Sequence, residues 1–531
     1  VTRANPTTTD KTKISDEPRL VERVIFEGDF VLQSAAHFGS GKSGEVDMTL
    51  IRDGYGDIII PGASIAGACR SYLAYYLLGS EAFDFVQAKA DLKSDQFEAA
   101  QKDRVLRNRE QETAISRLFG DTEPQRPSSN SENGQNNPES PPIFQSALLV
   151  SDAYAVKDCE INRRDGVKID AETGQAKDAA KYDYEVVERE TIFKLRFELV
   201  IRHAYADQAQ QLKKLMAIIL AAFRQGSISL GAKTRRGLGR GIVSNWKVTE
   251  LDLTQPKGIF NWLSLYCVKE PNGDNWIDQF DLGESKQNYF EIKAGFKLTS
   301  SLIIRTYAEQ EGSPDSIHIK SRDKPVLPGT SAAGVIRTRA GQIINTLDGK
   351  ADNWLKTLFG DVKEKKKDGA DYQRASRFLV EEVLIENTVS EIQSRIKIDR
   401  FTGGVIDGGL FDEAPLWAEA NAEGANWFLS CRILEPDPAE IGLLLLILKD
   451  MWVGDLPFGG GANIGRGILS GVSATLTYRK SEGTTPTETW KLTTDPNHKE
   501  AIILEPNDPQ SLENFVIAFN HEVRKSANGN Q

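Results

Sequence analysis

The chain has 531 residues, too many for one hydrophobic core, so length alone predicts roughly two to four domains. Hydrophobic residues make up 40% and charged residues 27%, which excludes a disordered or collagen-like chain. The net charge of −11 speaks against a uniformly basic nucleic-acid binder but leaves room for a basic groove, because salt confines each patch to about 10 Å.

Cys69, Cys159, Cys267 and Cys431 stand far apart with no CxxC pair, so neither a zinc site nor a disulfide framework is suggested. The apolar run from Ile441 to Leu448 is broken by Gly442 and falls far short of the ~20 residues of a membrane span. The polar opening lacks the apolar core of a secretory signal. A cytoplasmic setting without membrane partners is expected.

Residues 1–22 read as a flexible tail. Val24, Phe26, Phe30 and Leu32 then alternate with the period of a half-buried strand. A Gly-rich loop follows, HFGSGKSGEVDMTLIRD (37–53). Its glycines let backbone N–H groups close on an anion such as a phosphate beside His37. After the turn in PGASIAGACR (61–70), Ser64 is the expected N-cap of a helix running to about Leu78. Arg70 follows that helix start, where small residues permit close approach of a phosphate or simply helix–sheet packing. TEPQRPSSNSENGQNNPESPP (122–142) holds no hydrophobic residue and is expected to be a disordered insert. Residues 163–190 are hydrophilic, glycine-punctuated and β-prone, as a projecting hairpin requires. Leu212, Leu215, Met216, Ile219 and Phe223 give a second helix its apolar face.

SLGAKTRRGLGRG (229–241) carries Lys233, Arg235, Arg236 and Arg240 among glycines and no acid. It suits a cradle for a phosphodiester backbone, with a tight turn and solvated charges as the plain alternative. A last strand closes the unit, and 251–288 read as a linker.

The same grammar then recurs. PGTSAAGVIR (328–337) repeats Pro, Gly, Ser, Ala, Gly and Arg at identical spacing, with Ser331 the expected cap and Arg337 matching Arg70. Leu118-Phe119-Gly120-Asp121 returns as Leu358-Phe359-Gly360-Asp361, and KIDAETG (168–174) as KIDRFTG (397–403). The GRG of 239–241 finds a match in 465–467, which contains Arg466. The chain is thus a tandem duplication, with repeats at 23–250 and 289–479. Residues 480–531 form an extension whose Leu512, Phe515, Val516 and Phe519 predict one amphipathic helix.

A first strand, a helix opened by PGxSxxGxxR, an LFG turn and a late glycine loop containing GRG resemble the RAMP superfamily of CRISPR-associated proteins. Within it, the sequence is similar to the backbone subunit of type III effector complexes, in a fused double-copy form. The resemblance implies an α+β fold of two ferredoxin-like domains, each with a thumb hairpin that bends a guide–target duplex. It implies an endoribonuclease that cuts target RNA at nucleotides displaced every sixth position, with a divalent metal, Mg2+, as cofactor. Asp47 and Asp315 match the cleaving aspartate, and both are possible metal ligands.

The implied RNA contacts are His37, Lys42, Arg52, Ser64, Arg70, Arg163, Lys168, Lys233, Arg235, Arg236 and Arg240 in the first repeat. In the second they are Arg322, Ser331, Arg337, Lys397, Arg400 and Arg466. The implied partners are guide RNA, target RNA, a large polymerase-like subunit, a small subunit and other backbone subunits. His318, close after Asp315, reads as a further possible contact or a structural residue. Residues 395–417 also fit the family's thumb, and Leu416 and Trp417 within them read either as wedges between bases or as core.

Three other readings stay open on the residues alone. The chain is a guide-binding scaffold without cutting activity, or a guide-maturing endoribonuclease that uses a loop histidine such as His37. Least supported is an enzyme whose glycine loops hold a nucleotide cofactor, because these glycines precede a strand and GxxxxGK[ST] is absent.

Overall fold

The computed structural model describes residues 19–41, 46–79, 82, 114–120, 145–156, 159–170, 176–264, 273–307, 312–360, 375–420, 424–480, 487–495 and 502–528. The insert at 122–142, Lys42 and the first eighteen residues of the expected tail lie outside them.

In the first repeat the elements are β1 (Leu20–Leu32), α1 (Gly62–Leu78), β2 (Leu148–Val150), β3 (Ile161–Ile169), β4 (Ala176–Val187), β5 (Ile192–Arg202), α2 (Ala209–Arg224) and β6 (Gly241–Asp252). Four of the strands form an antiparallel sheet in the order β2-β5-β1-β6. Val24, Phe26, Phe30 and Leu32 point into the core, as their alternation predicts, and meet Leu212, Met216, Ile219 and Phe223 of α2. β3 and β4 stand apart from this sheet as a separate hairpin.

The second repeat follows the same plan. It contains β7 (Tyr289–Leu298), α3 (Gly329–Thr346), β8 (Phe378–Val380), the hairpin β9 (Gln393–Ile398) and β10 (Val405–Ala414), β11 (Trp427–Leu434), α4 (Pro438–Trp452) and β12 (Leu469–Arg479). Its sheet order β8-β11-β7-β12 repeats that of the first. Two further strands, β13 (Glu488–Thr494) and β14 (Ile502–Glu505), extend it beyond β12. The terminal helix α5 (Pro509–Asn528) buries Phe519 and Val523 against α4, so the extension completes the second core. No described helix is long and apolar enough to cross a membrane.

Three local expectations need correction. Ser64 and Ser331 do not cap their helices. The N-caps are Pro61 and Pro328, neither with a side-chain cap bond, and each serine lies inside the first turn. Gly62 starts its helix because a Cβ there would stand 2.3 Å from the Val150 carbonyl oxygen. Leu416, a sequence candidate for wedging between bases, is 2% exposed and belongs to the second core.

The third correction concerns the register of the glycine loops. Each contains a short 3-10 turn, Thr234–Arg236 or Ala462–Ile464, flanked by left-handed residues at Lys233 and Gly237 or Gly461 and Gly465. Leu230 N–H donates to Gly239 O and Phe458 N–H to Gly467 O. Gly239 is therefore equivalent to Gly467, Leu238 to Arg466, and Arg240 to Ile468. The GRG triplets match as letters but stand two positions apart in space.

Candidate RNA-binding and cleavage site

Backbone bonding fixes the equivalence of the two aspartates. Ala232 N–H donates to His37 O and Gly460 N–H to Ile303 O, while Gly39 bridges Leu50 as Arg305 pairs with His318. Counting along these ladders superimposes Asp47 on Asp315. Each sits exposed where its loop runs parallel to the second strand of the hairpin, Met48 beside Tyr184 and Ser316 beside Glu413.

In the first repeat the contact is reciprocal. Asp47 N–H donates to Asp183 Oδ1 at 2.8 Å, and Asp183 N–H donates to Asp47 Oδ2 at 3.0 Å. In the second, Asp412 N–H donates to Asp315 Oδ2 at 2.8 Å. Both carboxylates are therefore held by one oxygen at the base of a hairpin. Each keeps an oxygen for other chemistry.

The surroundings differ. In the first repeat, the Lys233 ammonium lies 3.4 Å from the centroid of Tyr184, the residue that bridges Met48, and 4.6 Å from that of Tyr182. Burial, with the nearby Arg236 charge, lowers its pKa to about 8. His37 Nδ1 lies 2.6 Å from Glu185 O, its ring edge-on to Tyr184. Burial lowers its pKa, so the ring is neutral near pH 7. At the second aspartate the buried Glu413 binds Arg305 at 2.7 Å, Arg466 at 2.8 Å and Arg395 at 3.4 Å. The arginines beside it hold Glu413 below the usual carboxylate range against the cost of burial.

A groove of about 1510 Å³ opens between the repeats. It brings together His37, Asp47, Ser64 and Arg235 of the expected residues. Asp315 lies outside it. Arg236, Lys397 and Arg400 are exposed, the last two on the second hairpin. Arg52 is 40% exposed and donates to Gly56 O. Lys168 falls on β3, and its side chain lies outside the described residues.

Other expected contacts already have protein partners. Arg70 donates to Gly120 O and Arg337 stacks over Phe359, so the repeated arginine and the repeated LFG turn explain each other by packing. Arg163 pairs with Asp183, Arg240 with Glu381, and Arg322 with Glu160 and Glu190. Arg466 is 2% exposed on Glu413 and Gln393. Ser331 lines a small cleft with Arg164 and Arg305. His318 is 2% exposed with both ring nitrogens on backbone groups, so its position is a structural one.

Sequence reasoning missed Asp183 and Asp412, the residues that fix the aspartates. Both contribute a backbone N–H, for which side-chain identity carries no signal, and Asp183 adds a carboxylate that accepts from Asp47 N–H. It also passed over Tyr72, Tyr75 and Tyr76 on α1, whose helical spacing away from Ile65, Cys69 and Leu73 was available to reading.

Among the described residues no group of three or more potential metal ligands is preformed. A comparison with curated proteins finds no match. The RAMP superfamily matches residues 29–243 and 296–470, the two regions that carry the duplicated sheets, turns and glycine loops. This chain belongs to the RAMP superfamily, as two tandem copies of its domain in one polypeptide.

Proposed function

We propose that the chain is a backbone subunit of a type III CRISPR RNA-guided complex, binding guide RNA and cutting complementary target RNA at displaced nucleotides. One observation carries this reading. Two exposed aspartates stand at equivalent stations, each clamped by a backbone N–H to the base of a projecting hairpin. A strand crossing both repeats would meet the same carboxylate geometry twice.

The chemistry asks mainly for geometry. A ribose 2′-oxygen attacks the adjacent phosphorus, the 5′-oxygen bond breaks, and a 2′,3′-cyclic phosphate and a 5′-hydroxyl result. A hairpin that unstacks one nucleotide supplies the in-line arrangement. The free oxygen of Asp47 or Asp315 accepts the 2′-hydroxyl proton, and the leaving oxygen takes one from water. One carboxylate per site suits Mg2+, which characteristically takes one or two carboxylates and completes its shell with phosphate and water. Bound there, it would stabilise charge on the phosphorane. Arg305 and Arg395, partly exposed on Glu413 in the second repeat, and Lys233 on Tyr184 in the first add positive charge that favours an anionic strand.

The test is target cleavage by assembled particles carrying Asp47→Ala and Asp315→Ala together. Guide retention with loss of cutting is expected. Unchanged cutting at every position would leave a guide-binding scaffold.

A further inference from the structure

Tyr72, Tyr75 and Tyr76 share one face of α1, and all three line the groove between the repeats. Tyr72 and Tyr76 stand 5.9 Å apart, and the Tyr76 hydroxyl donates to Gly283 O in the segment joining the repeats. Tyr75 lines the groove with Arg235, a guanidinium from the glycine loop. Burial lowers the pKa of Arg235. On the opposite wall Arg432 stacks on Tyr289 at 4.4 Å while pairing with Glu291, and Arg479 donates to Ser285 O and pairs with Glu284. The groove therefore has an aromatic floor between the Arg235 side and a wall of ion-paired arginines. At about 1510 Å³ it exceeds the ~300–1,000 Å³ typical of a small-molecule cleft, as passage of a polymer requires.

The second repeat has no such floor. Because Gly62 and Gly329 start equivalent helices, Tyr72, Tyr75 and Tyr76 correspond to Arg339, Gln342 and Ile343. Arg339 is engaged with Asp450 at 2.6 Å. The tyrosines thus belong to this half of the chain and are no part of what the two copies share.

Aromatic rings beside cations are the means by which proteins hold single-stranded nucleic acid, since every base has a π-face whatever its sequence. We infer that Tyr72 and Tyr75 form a shelf on which one unpaired base of an RNA strand stacks, a contact made by the first repeat alone. This rests on the reading that the groove carries RNA. The two repeats then hold their strand differently, the first by base and backbone, the second by backbone.

The full chain is titrated with a single-stranded RNA of mixed sequence containing 4-thiouridine, over a range of salt. Tyr72→Leu with Tyr75→Leu is expected to weaken binding about tenfold. The slope of affinity against salt stays unchanged, because stacking releases no counterions. Tyr72→Phe with Tyr75→Phe keeps the wild-type affinity, and photocrosslinks in the wild type map to the α1 peptide. Salt-dependent binding with no loss in the leucine variant and no α1 crosslink overturns the shelf while leaving the groove reading intact. Absence of RNA binding by the wild type overturns both. If the leucine variant does not fold, crosslink mapping on the wild type decides alone.

Discussion

At His318 the Ile304 N–H donates to Nδ1 at 3.2 Å, and Nε2 lies 2.9 Å from Val326 O. That pairing requires a neutral ring with its proton on Nε2, and burial lowers the pKa from 6.5 to about 4. Above pH 6.5 both folded and unfolded chains carry the ring neutral. Between pH 6.5 and about 4 the unfolded chain takes up a proton that the folded chain refuses, so stability falls with pH, by about 3 kcal/mol in all. Leu50 holds the equivalent place in the first repeat, so His318→Leu is a tolerable replacement. The stability gap between wild type and variant, followed by denaturant unfolding, should shrink by roughly 2–3 kcal/mol on acidification from neutral pH. A gap independent of pH would contradict the buried neutral ring.

Helix α5 illustrates how an element is placed by a single residue. It crosses α4 at Gly442, where an added Cβ would stand 2.1 Å from Phe515 O. Gly442→Ala should cost about 1–3 kcal/mol and raise hydrogen exchange across Pro509–Asn528. Exchange as slow as in the wild type would show that the close approach is unimportant.

Elements of this kind were legible where periodicity speaks, as in the alternation of β1, the apolar face of α2 and the doubled PG turn. Helix starts were legible too, but their caps were not, because Pro61 and Pro328 take the cap position without a side-chain bond. The glycine loops misled in register. A GRG triplet looks like one motif, yet the left-handed positions that demand glycine are Gly237, Gly239, Gly465 and Gly467. The two aspartates are singled out by the resemblance to a family, not by any local pattern. Their clamps, Asp183 and Asp412, depend on strand pairing between distant segments, which no local pattern encodes.

Across the whole molecule the halves meet through backbone and charge. A Cβ at Gly237 would stand 2.3 Å from Glu382 N, and one at Gly329 2.3 Å from Arg236 O, so the first glycine loop sits against the PG turn of the second repeat. Arg164, 2% exposed, pairs with Glu382, 4% exposed, across this junction. Removing one member of such a pair leaves a buried charge unmatched, so Arg164→Ala should cost about 3 kcal/mol. The single urea transition of the wild type should then separate into two. One unshifted transition would mean the halves are coupled elsewhere.

That junction fixes the relative position of Asp47 and Asp315, and with it the central claim that one strand meets two equivalent stations. Mapping the ends of target fragments at single-nucleotide resolution in assembled particles tests it directly. The account predicts two cuts separated by one step of the sixth-position period, with Asp47→Ala removing one and Asp315→Ala the other. Cuts at unrelated spacing, or loss of both from either substitution, would contradict it.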